Sequence, residues 1–329
     1  NLLDNVVVKY AQTGVSVSTS ALTVSNSTIS DNSSIGISIT SASPTITGNT
    51  ISSNGSYGIY MSSSSPTITG NTISNNTNSG ILMDSSAPTI TGNTISNNGY
   101  GIQASGSSNP AIANNTIKDN TDWAIYLYAT SSGATINGNT ISGAKPAIYV
   151  RGGSITSSLG WSSLNASYVV GYKQDYPATS LTTSQGATLT ISPGVVAKFE
   201  QYAYLNISGS LVADGTPDKK IVFTSVKDDT YGGDTNGDGA VTTPAKGDWG
   251  GLTFASGSTN NLLDNVVMKY GGFSCNCTYG YNSNGLLQVK TSSLSITNST
   301  ISDSNSYGIY ITSASPTISG NTISNNHNG

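Results

Sequence analysis

The densest run of carboxylates in this 329-residue chain is Asp228-Asp229-Thr230-Tyr231-Gly232-Gly233-Asp234-Thr235-Asn236-Gly237-Asp238-Gly239. From Asp234 onward it spells D-x-N-x-D-G. In that pattern alternate side-chain oxygens converge on one point and the glycine permits a sharp turn, which makes the first half of a calcium-binding loop. The twelfth position falls on Ala245, not on a bidentate carboxylate. The missing oxygen then has to come from Asp248, Asp229 or Asp228. The expected metal ligands are Asp229, Asp234, Asn236, Asp238 and Asp248, with calcium in a structural role.

Other reactive groups are sparse. Cys275 and Cys277 are the only cysteines. They can bond to each other in a small ring, pair between molecules, or stay free. Glycoside hydrolysis needs two carboxylates facing one another, but Asp31, Asp84, Asp119 and Asp122 share no common phase. Arg151, the one arginine, stands near Lys145, and the sole histidine, His327, has no catalytic partner in the sequence. No active site is legible, and the chain is expected not to be an enzyme.

The framework carrying these residues is periodic. Pro44, Pro66, Pro88 and Pro110 are each 22 residues apart. Ile46, Ile68, Ile90 and Ile112 keep that interval, as do Ile51, Ile73, Ile95 and Ile117, and each series continues at Ile136 or Ile141. A third apolar series runs Ile59, Ile81, Ile102, Ile125 and Ile148. Inside each repeat the pattern alternates with period 2, so each unit reads as three short strands separated by Gly, Asn and Ser turns. A unit of this size cannot bury its apolar face alone. Stacked at about 4.8 Å on its neighbours, it makes an all-β parallel solenoid with isoleucine inside. Asn49, Asn71, Asn93, Asn115 and Asn139 recur at one phase, each before Thr-Ile, and are expected to stack as a hydrogen-bonded ladder.

Composition agrees. Charged residues make up 9% of the chain, with net charge −4 and a single glutamate, so long helices lack their usual vocabulary. A basic footprint for nucleic acid is missing, and no apolar run is long enough to span a membrane. The first residue is Asn with no secretory signal, which suits a mature chain or a fragment.

The motif I-x-G-N-T-I-x-x-N…G-I over residues 21–152 and 294–326 resembles the right-handed parallel β-helix repeat family, which includes pectate lyases, NosD-type proteins and many surface proteins. Right-handedness is what that resemblance implies. Calcium-assisted lyases of this fold also use an acidic cluster with a basic residue, a pattern not matched here. The wording GATLTISPGVVAKF…GDWGGLTF, within residues 186–270, is similar to the opening of bacterial and archaeal surface β-helix domains.

A longer repeat overlies the short one, because Asn1-Leu-Leu-Asp-Asn-Val-Val-Val-Lys-Tyr10 returns at Asn261–Tyr270 with Met268 in place of Val8, an offset of 260. Four segments are expected: β-helix coils over 1–152, an irregular junction over 153–180, a new β-helix series with the acidic insertion over 181–260, and a repeat of the opening over 261–329. The reading that follows is an extracellular structural or adhesive rod of a cell surface or filament, secreted and calcium-stabilised. Its partners would be further copies joined end to end through unpaired strand edges, or surface glycans met by its many tyrosines. Tyr57, Tyr60, Tyr126 and Tyr149 are the ones expected at or near outward positions. Two rival readings are a polysaccharide-binding or polysaccharide-degrading β-helix, and an ice-binding solenoid. The latter rests on Thr45/Thr47, Thr67/Thr69 and Thr89/Thr91, a grid that decays at Ala111/Ala113.

Overall fold

The structure, a computed structural model, describes residues 1–131, 133–171, 180–273 and 284–328. Among them every regular element is a β-strand. Two compact units are present, Asn1–Tyr149 and Val150–Gly329.

In the first unit each lap supplies three strands. One lap holds Thr45–Thr47, Thr50–Ser52 and Ile59–Ser62, and the next holds Thr67–Thr69, Thr72–Ser74 and Ser79–Asp84. Pairing is parallel and residue for residue. Ile68 lies between Ile46 and Ile90, Ile73 between Ile51 and Ile95, and Ile81 between Ile59 and Ile102. All nine of these isoleucines are 0% exposed. Burying one such side chain is worth about 1.5–3 kcal/mol, and alternation turns the flanking threonines outward.

The corners explain why the strands stay short. The first corner of successive laps holds a left-handed residue, Asn26, Gly48, Gly70, Gly92 and Asn114. The second holds Asp31, Ser53, Asn75, Asn97 and Asp119, and the third Ser41, Ser63 and Ser85. One residue in that conformation bends the chain sharply, which Gly tolerates freely and Asn or Asp better than most residues. The residue that follows each of them points inward and stitches one lap to the next.

The second unit is built the same way with a more varied core. Leu205 lies between Leu181 and Leu252, and Leu287 between Leu252 and Ile309. Phe199 and Trp249 stack with ring centroids 4.2 Å apart. The lap from Leu205 to Leu252 is about twice the regular length because it carries the acidic insertion.

Residues 153–180, expected to be irregular, are not so where they are described. Gly153–Ile155, Leu159–Trp161 and Ser167–Gly171 form a regular lap in register with Leu181–Thr183, Thr188–Ile191 and Val196–Phe199. The isoleucine beat is lost because Trp161, Tyr168 and Val170 occupy its inward places, each at most 3% exposed. Burial against Trp161, whose ring stacks at 4.8 Å, pushes the Tyr168 hydroxyl up to about 12.

Candidate functional site

On the third sheet of the second unit, Val169, Lys198 and Thr224 form one cross-strand row in positions that alternation turns outward. All three are nevertheless 0% exposed. The acidic insertion lies over them. Lys198 Nζ donates to Gly233 O, and Thr224 Oγ1 donates to Asp228 Oδ2 at 2.6 Å. The backbone at Gly232 comes so close to Ser167 that a Cβ there would stand 2.1 Å from its Oγ.

Within the insertion, Asp234 folds the loop around itself. Its two oxygens accept from Gly237 N at 2.7 Å and Gly239 N at 2.8 Å, and both glycines have positive φ. Asn236 Nδ2 donates to Asp238 Oδ2 at 2.8 Å and to Thr242 Oγ1 at 3.2 Å. Four buried oxygens accept nothing: Asp229 Oδ1, Thr235 Oγ1, Asn236 Oδ1 and Asp238 Oδ1. Orphaned buried oxygens are few in native structures and call for a partner, and most of those found here lie on this one loop. Burial raises the Asp229 carboxyl above its ordinary range, Asp234 adds to that, and the Lys198 charge opposes it. Burial lowers Lys198, while Asp229, Asp228 and Asp234 hold it up.

These donors fit a hard cation in part. They are all oxygen, and three expected ligands, Asp229, Asn236 and Asp238, each present a free one. Asp234 is near enough to act on Asp229 electrostatically. Asp248 is engaged elsewhere. Its Oδ1 pairs with Lys227 Nζ at 2.9 Å, and its Oδ2 accepts from Ser225 Oγ at 2.8 Å and Ala245 N at 2.9 Å. Among the described residues no three His, Cys, Asp or Glu side chains gather tightly enough to hold a metal alone. Amide, hydroxyl or backbone oxygens would have to complete a coordination shell.

Beside the insertion a cleft of about 580 Å³ runs over Val196, Val222 and Val267, rimmed by Lys219, Lys220, Lys269 and Tyr231. Lys269 is shared with Asp303 at 3.5 Å.

Residues 13–160 match the family model described as a right handed beta helix region. Over that stretch the chain is similar to the right-handed β-helix family, and the described strands of each unit pair as the parallel coils of a β-helix fold. No curated protein and no solved structure matches it. A β-helix hosts enzymes and structural proteins alike, so function has to be argued from its sites.

Elsewhere in this β-helix the polar side chains serve the stack. Asn71 Oδ1 accepts from Asn49 N at 2.9 Å and from Asn49 Nδ2 at 3.0 Å, and the same pattern passes through Asn93 and Asn115 to Asn139. A second ladder, Asn32-Asn54-Asn76-Asn98-Asn120, fills the second corner. A serine ladder, Ser64-Ser86-Ser108, fills the third. Sequence reasoning overlooked both, although the 22-residue spacing marks each of them.

Among the coil carboxylates, Asp122 caps Trp123 N at 3.1 Å and pairs with Lys145 at 3.2 Å. Asp119 is an exposed corner residue and Asp31 pairs with Lys9 at 3.1 Å. Of the tyrosines expected outside, Tyr57 and Tyr60 are half-buried. Tyr126 and Tyr149 are buried, their rings stacked on each other at 5.0 Å, with Trp123 on Tyr149 at 4.7 Å. Cys275 and Cys277 lie outside the described residues.

Proposed function

We propose that this β-helix is a non-catalytic structural module of an extracellular surface or filament, in which a calcium ion pins the acidic insertion to the solenoid. The observation that carries this reading is the use made of polar side chains. Three corner ladders and the paired carboxylates commit them to holding laps together, and the clearest unsatisfied acceptors sit on one loop. Low charge and outward Thr, Ser and Tyr suit lateral or end-to-end contact with further copies, and the lysine-rimmed cleft suits contact with surface glycans.

The test is calcium titration of the purified chain by calorimetry, followed by thermal scans. One ion per chain is expected. At a hundredfold excess over Kd, an ion that binds only the folded state adds about 2.7 kcal/mol, so Tm should rise and then fall back in EDTA. Electron micrographs should show ordered assemblies. Depolymerisation of a glycan by the purified protein would overturn the reading.

A further inference from the structure

An outward lysine on a solenoid face is ordinarily solvated, yet Lys198 is 0% exposed. Its ammonium donates to Gly233 O, inside the loop whose carboxylates at Asp228, Asp229 and Asp234 act on it electrostatically. A fully buried ammonium persists only where opposite charge and acceptors surround it. Its row neighbour Thr224 ties down Asp228, so two adjacent side chains of one sheet hold the start and the middle of the insertion.

Charge is left over. Asp228, Asp229, Asp234 and Asp238 carry four negative charges against the one on Lys198. Thr235, 0% exposed, leaves its hydroxyl oxygen without a partner, alongside the unpartnered oxygens of Asp229, Asn236 and Asp238. We propose that the insertion is a clasp closed by two cations: Lys198 as a resident one, and a single exchangeable hard divalent ion held by oxygens of Asp229, Asn236 and Asp238. The second ion rests on the calcium reading above; the first does not. The all-oxygen, irregular donor set suits calcium better than magnesium, which demands a near-ideal octahedron.

Lys198 then has two opposed effects. It latches the insertion to the sheet without metal, and its positive charge weakens the neighbouring ion. A merely structural lysine would have only the first.

Trypsin reads the latch, because Lys227 and Lys246 flank the insertion. In EDTA the wild-type chain should resist cleavage at Lys246. Lys198→Met should be cut there in EDTA and protected by calcium, with calcium bound about tenfold more tightly than by wild type, the order expected for removing one nearby like charge. Asp229→Asn should weaken calcium about tenfold while keeping its resistance in EDTA. Lys198→Thr, which copies the residue type at the paired position 224, gives the same readout should the methionine variant fail to fold. A Lys198 variant as resistant as wild type in EDTA, with unchanged calcium affinity, overturns the proposal. If wild type binds no calcium while Lys198→Met is still cut, the exchangeable ion and the calcium reading fall together and the resident latch stands.

Discussion

Asn71 shows how much one corner side chain carries. Its oxygen accepts twice from Asn49, and its Nδ2 donates to Asn93 Oδ1 at 3.0 Å, Ile46 O at 2.9 Å and Thr69 O at 3.1 Å. At 1% exposure, no water replaces what is removed. Asn71→Ala strands Asn49 N and one of the two Nδ2 hydrogens, the other still donating to Val24 O, and stranding buried donors costs about 1–3 kcal/mol each. A loss of about 2–4 kcal/mol is expected in denaturant unfolding. Asn75→Ala should cost about 1 kcal/mol, mostly for placing Ala in a left-handed corner; that side chain is exposed. Equal losses at the two sites would deny the ladder its weight. Asn71 was legible because it stands alone before Thr-Ile. Asn76 and Asn98 were not, because each follows another asparagine, and composition cannot say which member of the pair bends the chain and which turns inward.

Strand register depends as much on missing side chains as on buried ones. A Cβ on Gly58 would stand 2.6 Å from Gly80 O and 2.7 Å from a methyl of Ile73. Gly36 and Gly80 repeat this approach one lap away on either side. Laps stacked at about 4.8 Å have no slack to absorb the methyl. Gly58→Ala should therefore cost about 1–3 kcal/mol as overpacking does, and the damage should be local. Amide exchange should quicken in Ile59–Ser62 and its partners while Thr50–Ser52 stays protected; uniform acceleration would mean the laps do not open separately. The regular strands were legible because Ile is repeated word for word. The lap over 153–171 was not, since burial asks only for apolar bulk at alternate places, and Trp161, Tyr168 and Val170 supply it without the repeat's spelling.

At the scale of the whole molecule the titrating groups fall into two sets with opposite signs. Ser25 and Asn26 hold Asp4 below its ordinary range by hydrogen bonding, and Ser30 and Lys9 do so for Asp31. For Asp264 and Asp303 burial pushes upward, but hydrogen bonds from Thr297 and Asn298, and from Ser302 and Asn325 with the charge of Lys269, outweigh it. Such groups contribute stability above the unfolded carboxylate pKa and lose it as pH falls through their lower folded values, that is, below about pH 4. Asp229 runs the other way, since burial and Asp234 raise it. Its charge opposes folding at neutral pH, and that penalty lifts as pH falls toward its raised value.

The D-x-N-x-D-G spelling could be read because its spacing is local. Lys198 could not, because it lies some thirty residues upstream in a strand position that alternation assigns to solvent. In EDTA, Tm should accordingly rise from neutral toward mildly acidic pH and then drop below about pH 4. Saturating calcium replaces the missing positive charge at Asp229, so the mildly acidic rise should vanish and Tm should fall as protons displace the ion. A metal-free Tm that only declines from pH 8 to pH 4 would show that the insertion's charges are solvated and that the clasp does not close over Lys198.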